Sequence, residues 1–310
     1  MECELAINIS DVKSPHSWPA PAKLNLFLHI TARRDDGYHE LQTIFQILDF
    51  GDCLTFDIRG DGKIQRQSVI PGVPEDQDLT VRAARLLQEK TDCQLGVDIG
   101  IEKKIPMGGG LGGGSSDAAT TLVVLNHLWQ LGQSQQQLMA LGLSLGADVP
   151  VFIYGNTAWA EGVGDKLTAV DVPEAWYVVI SPHVSIATAE LFSVPELTRD
   201  AQPIRIRDYF AGVTQGSVEN AFEAIVRKRY PLVGSALDWL SNQADKGVSA
   251  RLTGTGSCVF ARFDQEARAR DVALAAQRNK KNAWLAFCAR GCRESPLLTQ
   301  LKKQANASLP

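Results

Sequence analysis

Residues 108–114 read Gly-Gly-Gly-Leu-Gly-Gly-Gly, six glycines in seven positions. Such a run is costly to order, because glycine gives up more backbone freedom on folding than any other residue. A chain that orders it brings main chain close to something. Upstream, Val97, Ile99 and Ile101 alternate as a half-buried strand does. Downstream, Ala118, Ala119, Leu122, Leu125 and Trp129 share one helical face. A strand, a glycine loop and a helix N-terminus in that order suit an anion: the amides are uncovered, and the helix end carries partial positive charge. Pro106, Met107, Gly108, Gly109, Gly110, Leu111, Gly112, Gly113, Gly114, Ser115 and Ser116 are therefore the candidate phosphate-binding residues. Ser115 and Ser116 can also cap the helix. The plainer alternative is a flexible turn before an ordinary helix.

Two familiar phosphate loops do not fit. A Walker A loop needs Lys and then Ser or Thr after its last glycine, whereas Ser115 follows Gly114 directly. Gly108, Gly110 and Gly113 satisfy GxGxxG, but a run this rich in glycine matches by chance. A dinucleotide fold also wants an acidic residue ending a second strand about 20 residues on, where this chain has helical pattern around Trp129.

The rest of the chain reads as mixed helix and strand. Ala22, Leu24, Leu26, Leu28 and Ile30 alternate, with Lys23, Asn25, Phe27 and His29 on the other face. Residues 33–38 (RRDDGY) signal a turn, and strands are expected at 41–48, 53–58 and 97–101. Asp78 is the expected N-cap of a helix over 78–88. A helix at 135–145 closes at Gly146, and 148–153 (DVPVFI) reads as a strand that Pro150 keeps from being helical. Further strands are expected at 176–180, 250–252, 258–263 and 283–287. Further helices are expected near 218–229, 232–240 and 265–277. The pattern breaks near 161–168, dividing an extension (1–20) and a first lobe (21–164) from a second lobe (165–310). The fold class is α+β.

Composition narrows function. The 310 residues are 45% apolar and 21% charged, with a net charge of −4. A packed core is expected, and a nucleic-acid partner is disfavoured for want of a basic stripe. No apolar run reaches the roughly 18 residues that span a bilayer, and the first 20 residues resemble neither a signal nor a transit peptide. The six cysteines are dispersed, so reduced thiols and a cytoplasmic location are expected.

The loop, with Pro106, Gly110-Leu111-Gly112, Ser115-Ser116 and Ala118-Ala119, resembles the phosphate-binding motif of GHMP kinases. PAKLNLFLHI at 21–30, DGYHELQTIFQ at 36–46 and GADVPVF at 146–152 are similar to the branch of that superfamily acting on a diphosphocytidyl-linked polyol. PHVSIATAELF at 182–192 is similar more loosely, and TGTGSCVF at 253–260 resembles the superfamily's C-terminal glycine motif. The resemblance implies two α+β lobes with an active-site cleft between them, ATP as co-substrate, Mg²⁺, and phosphorylation of the substrate's tertiary 2-hydroxyl. It implies Asp148 as general base with Lys23 as its cationic partner, and Asn25 near the reacting end. Tyr38, His39, Thr188 and Phe192 would hold the cytidine. Ser116 is the candidate metal ligand. A monomer or weak homodimer is expected.

Spacing supports part of this. Lys23 and Asn25 share a strand face, about 7 Å apart at the usual rise. By themselves Lys23 reads equally as a solvated edge charge, Asp148 as a turn residue, Tyr38 as a turn aromatic and Phe192 as core. One departure stands out. The superfamily commonly has Asn-Asp-Leu-Glu where this chain has Glu219-Asn220-Ala221-Phe222-Glu223, so no acidic role is assigned there. Other GHMP kinases, a non-catalytic sensor on the same fold and an RNA-binding module are the competing readings. Competition by free CMP separates the first of these, turnover the second and salt-sensitive RNA retention the third.

Overall fold

A computed structural model describes residues 17–212, 219–279, 282 and 284–307. The chain opens with β1 (Trp18–Arg33) and β2 (His39–Arg59), then β3 (Ile64–Arg66), α1 (Leu79–Thr91) and β4 (Gly96–Glu102). The helices α2 (Gly113–Leu128), α3 (Gln135–Leu145) and α4 (Val149–Tyr154) follow. Next come β5 (Ala158–Glu161), β6 (Lys166–Ala169), β7 (Trp176–Ser181), α5 (Thr188–Phe192) and α6 (Ile206–Phe210). The C-terminal stretch holds α7 (Glu223–Arg229), α8 (Pro231–Gln243), β8 (Arg251–Leu252), β9 (Val259–Phe263), α9 (Glu266–Gln277), β10 (Leu285–Cys292) and α10 (Pro296–Ala307). No helix among the described residues is long and apolar enough to cross a membrane.

Local chemistry explains most boundaries. Asp78 caps α1 as its position predicts, its carboxylate accepting from Thr80 N at 2.8 Å. Ser134 and Gln137 form a capping box at α3, and Gly146 ends it. Three expectations differ. β2 is one strand rather than two, because 50–52 changes partner without turning: Thr43–Phe45 pair with β5 and Cys53–Arg59 with β4. Residues 149–154 are helical, not a strand. Pro150 is the second residue of α4, where its missing N–H has no intrahelical partner to lose. Of the expected extension, 1–16 lie outside the described residues, while Trp18 is already fully buried in β1.

Packing divides the chain into two compact units that interleave in sequence. One is built from the described part of Met1–Ala20 with Gly51–Lys104 and Gly114–Tyr154. Here the second half of β2 runs antiparallel to β4 (Phe56 beside Ile99), and β3 lies parallel to β4. The other unit comprises Pro21–Phe50, Ile105–Gly113 and the described part of Gly155–Pro310. Its sheet runs β8-β9-β7-β10-β2, all neighbours antiparallel. Its core joins Leu28 and Ile30 of β1 to Val178, Ile180, Leu237, Val259 and Val272, and a second cluster buries Leu24, Phe27, Ile105, Leu111 and Cys258.

Candidate active site

The glycine run is fastened by main chain. Lys23 N of β1 donates to Leu111 O at 3.0 Å, and Cys258 N donates to Gly109 O at 3.1 Å. Leu111, the one side chain in the run, is buried in the second core cluster. Gly110 has φ +77°, and a Cβ there would collide with Thr253 O. Only glycine meets both conditions. Left-handed φ at Gly108, Gly110 and Gly112 alternates with ordinary φ at Gly109 and Leu111, the kind of alternation that gathers amides into an anion-binding concavity. The C-terminal turn at 253–257 therefore lies directly against the loop.

α2 starts inside the run, at Gly113. Ser115 and Ser116 are thus first-turn residues rather than caps. Ser116 is fully buried, and its Oγ has no hydrogen-bond partner. Below the same turn lies a charge cluster. Lys103 Nζ donates to Asp52 Oδ2 at 2.5 Å and to Asp117 Oδ2 at 2.6 Å. Burial, opposed by Lys103 and assisted by the Asp52 charge, pushes the Asp117 carboxyl up to about 7. Burial works against the Lys103 ammonium, and the two carboxylates outweigh it and raise its pKa.

β1 supplies the polar pair. Both its faces are covered, so Lys23 and Asn25 are 2% exposed and not on a solvated edge. Phe27 stacks on Tyr209 and tilts against Trp159, which closes the face that the alternation left open. Lys23 Nζ donates to Asn25 Oδ1 at 2.6 Å and lies 5.2 Å from the Phe45 ring centre. Asn25 Nδ2 donates to Thr43 Oγ1 at 3.0 Å, and the Thr43 hydroxyl donates to Phe27 O. Asn25 N donates to Thr253 Oγ1 at 3.0 Å. A buried ammonium is tolerable only with partners of this kind.

Asp148 is half-buried in the turn between α3 and α4, immediately before the α4 N-terminus. It belongs to the Gly114–Tyr154 unit and Lys23 to the other.

The expected cytidine residues gather at the start of β2 and along α5. Tyr38 is 62% exposed on the turn before β2. His39 stacks on Phe192, with centroids 4.9 Å apart and planes at 30°. Phe192 meets the fully buried Phe222 edge-on. Thr188, one turn before Phe192, shares a 2.9 Å hydrogen bond with Thr255 of the C-terminal turn. Burial, with the nearby Arg199 and Arg33 charges, lowers the His39 pKa. Its Nε2 is buried and unpartnered. A neutral imidazole offers one donor and one acceptor to a ligand's polar edge.

Two family models match the chain. The GHMP kinases N terminal domain covers residues 78–156, and the GHMP kinases C terminal domain covers 210–282. The chain is 54% identical over 286 residues to the 4-diphosphocytidyl-2-C-methyl-D-erythritol kinase of Nitrosococcus oceani, which spans 92% of this chain and 98% of that protein. It belongs to that kinase family, within the GHMP kinases. The kinase of the same name from Pseudomonas syringae pv. syringae is 58% identical over 251 residues, 81% of this chain and 86% of that one. A crystal structure of 4-(cytidine 5′-diphospho)-2C-methyl-D-erythritol kinase superposes with TM-score 0.76 at 30% identity, over 89% of this chain and 100% of that one. A mevalonate kinase structure, at 16% identity and TM-score 0.62, shares the fold. The chain is thus a small-molecule kinase with mixed α/β content, as its motifs imply.

Within this family framework, several site residues escape the sequence reading. Thr43 lies inside a quoted motif yet carries no chemical signature of its own. Lys103 and Asp52 are 51 residues apart, and nothing local pairs them. Asn220 and Glu223, where no role is assigned, tie down the C-terminal turn. Asn220 Nδ2 donates to Leu252 O at 3.0 Å and Gly254 O at 2.8 Å, and Glu223 Oε2 accepts from Leu252 N at 2.8 Å.

Proposed function

We propose that the chain transfers the γ-phosphoryl group of ATP to the 2-hydroxyl of 4-diphosphocytidyl-2-C-methyl-D-erythritol, giving the 2-phosphate and ADP. The step belongs to the methylerythritol phosphate route to isoprenoid precursors. The observation that carries this reading is the match at 54–58% identity, over most of the chain, to kinases of that name. The geometry fits it. Phosphoryl transfer depends on positioning and charge stabilisation, and the glycine run and α2 offer the phosphates uncovered amides. Asp148 accepts the proton of the attacking hydroxyl, and Lys23, oriented by Asn25, stabilises the charge that develops. Tyr38, His39, Thr188 and Phe192 take the cytidine, His39 through its free ring nitrogen and the aromatic rings by stacking.

Mg²⁺ would accompany the nucleotide. Among the described residues no group of three or more His, Cys, Asp or Glu is placed to hold a metal. The orphan Ser116 hydroxyl is one donor, which fits an ion carried on phosphate oxygens and water. The two family models fall within 21–164 and 165–310, which supports a division of the sequence there, although Pro21–Phe50 and Ile105–Gly113 pack with the C-terminal stretch. A monomer or weak homodimer in the cytoplasm completes the reading.

Coupled ADP release, with ATP and Mg²⁺, tests it against mevalonate, homoserine and galactose. Release is expected only with the cytidyl compound. Asp148→Asn is expected to lower kcat by about a thousandfold while ATP binding stays within a fewfold. Comparable turnover of another acceptor, or an active Asp148→Asn enzyme, would sink the assignment.

A further inference from the structure

The five residues of α5 (Thr188–Phe192) are too few to hold a helix by themselves. Its end is gathered from outside. Arg199 Nη2 donates to Phe192 O at 2.9 Å and to Val194 O at 2.7 Å, and Nη1 donates to Leu197 O at 3.0 Å. One rigid, charged fork therefore fixes three carbonyls at and beyond the helix C-terminus, where a cation is also favoured by the helix dipole. The main chain it fixes carries the Phe192 ring, which lies between the His39 ring and the edge of Phe222.

We infer that Arg199 is a positioning residue for the cytidyl end of the substrate: by clamping the 192–197 main chain it holds Phe192 stacked beside His39, and so sets affinity for the pyrimidine without entering phosphoryl transfer. This rests on the assignment of His39 and Phe192 to the cytidine. Two properties of arginine are used separately. The fork holds the wall. The charge, second to burial and joined by Arg33, helps keep His39 neutral, with one ring nitrogen available to accept.

Two substitutions separate fork from charge. Arg199→Lys keeps the charge and loses the fork geometry, and Arg199→Gln loses both. For the lysine variant, the Kd of CMP and the KM of the cytidyl substrate are expected to rise about tenfold, the equivalent of about 1.4 kcal/mol. Its kcat, its KM for ATP and its His39 titration, followed by NMR, should stay near wild type. The glutamine variant should show the same loss of CMP affinity together with a His39 pKa moved upward.

Unchanged CMP affinity in a folded lysine variant would overturn the inference. So would a rise in both KM values in step with a fall in Tm, since that is the behaviour of a general structural residue. If the wild-type enzyme binds CMP but does not turn over the cytidyl compound, the substrate assignment falls. The clamp is then still judged by CMP alone. No CMP binding by the wild type would overturn both.

Discussion

The glycine loop and the proposed cytidine wall belong to one compact unit and touch the same C-terminal turn, yet they are held in opposite ways. The loop is fixed by main chain against main chain: Leu111 O to Lys23 N, Gly109 O to Cys258 N, and Gly110 with no room for a Cβ beside Thr253 O. The wall is fixed by side chains: a His39–Phe192 stack, a threonine pair at 188 and 255, and an arginine reaching back from 199. The difference suits the two tasks proposed for them. Phosphoryl transfer tolerates little error in position, and a shift of about 1 Å can cost a hundredfold. Stacking on a pyrimidine is a broad, face-to-face attraction that survives small displacements.

The largest effect is therefore expected in the loop. Gly110→Ala forces a side chain onto a left-handed φ and against a carbonyl that cannot retreat. A loss of about a hundredfold or more in kcat/KM is expected, with weaker ATP binding in a titration. Near-wild-type ATP affinity would show the loop to be no more exacting than the wall. Gly109→Ala is a graded version. Its Cβ would meet the Cys258 Sγ rather than main chain, so a partner exists that can be trimmed. Cys258→Ala in the same chain is expected to restore part of the activity lost by Gly109→Ala, read as a coupling in a double-mutant cycle. Strict additivity would show that Cys258 is not the obstacle.

At the wall, Tyr38→Ala should raise the KM of the cytidyl substrate about tenfold, the upper end for an aromatic contact. KM for ATP should hold, and because the ring is 62% exposed, Tm should shift little. Equal losses for both substrates would place Tyr38 outside the pyrimidine site.

The loop and the polar pair were legible because their signals are local: a glycine run between two periodic segments, and alternation that puts Lys23 and Asn25 on one face. Asp78 and Gly146 were readable for the same reason. What stayed hidden depends on distant partners. Alternation could not say that both faces of β1 are covered, since Tyr209 and Trp159 lie far along the chain from Phe27. It could not tell that 50–52 changes partner without turning. DVPVFI carries strand-forming residues, and helix won because a proline in the first turn costs no hydrogen bond. Arg199 and Asn220 act on main-chain carbonyls, a role that leaves no motif. Asp117 carries no local signal of its own, whereas folding buries it beside a lysine that Asp52 also claims.

At Asp117 the glycine run has passed into α2, and main-chain fastening gives way to charge. Two carboxylates share one ammonium there, and the pKa of Asp117 rises from the usual carboxylate value to about 7, chiefly through burial. A group held more tightly protonated in the folded state contributes its full stability below the unfolded pKa, near 4. Between pH 4 and 7 the unfolded chain has released a proton that the folded one retains, so stability falls as pH rises and levels off above 7. Asp117→Asn removes that titration and leaves Lys103 with Asp52 alone, a balanced pair. Relative to wild type, the variant should gain about 2–3 kcal/mol between pH 5 and pH 8, because the folded chain retains the proton over most of that interval and the unfolded chain does not. Urea midpoints at the two pH values measure it. Parallel wild-type and variant curves would mean that Asp117 stays ionised throughout. The start of α2 would then be anchored by a plain ion network with no proton to give up.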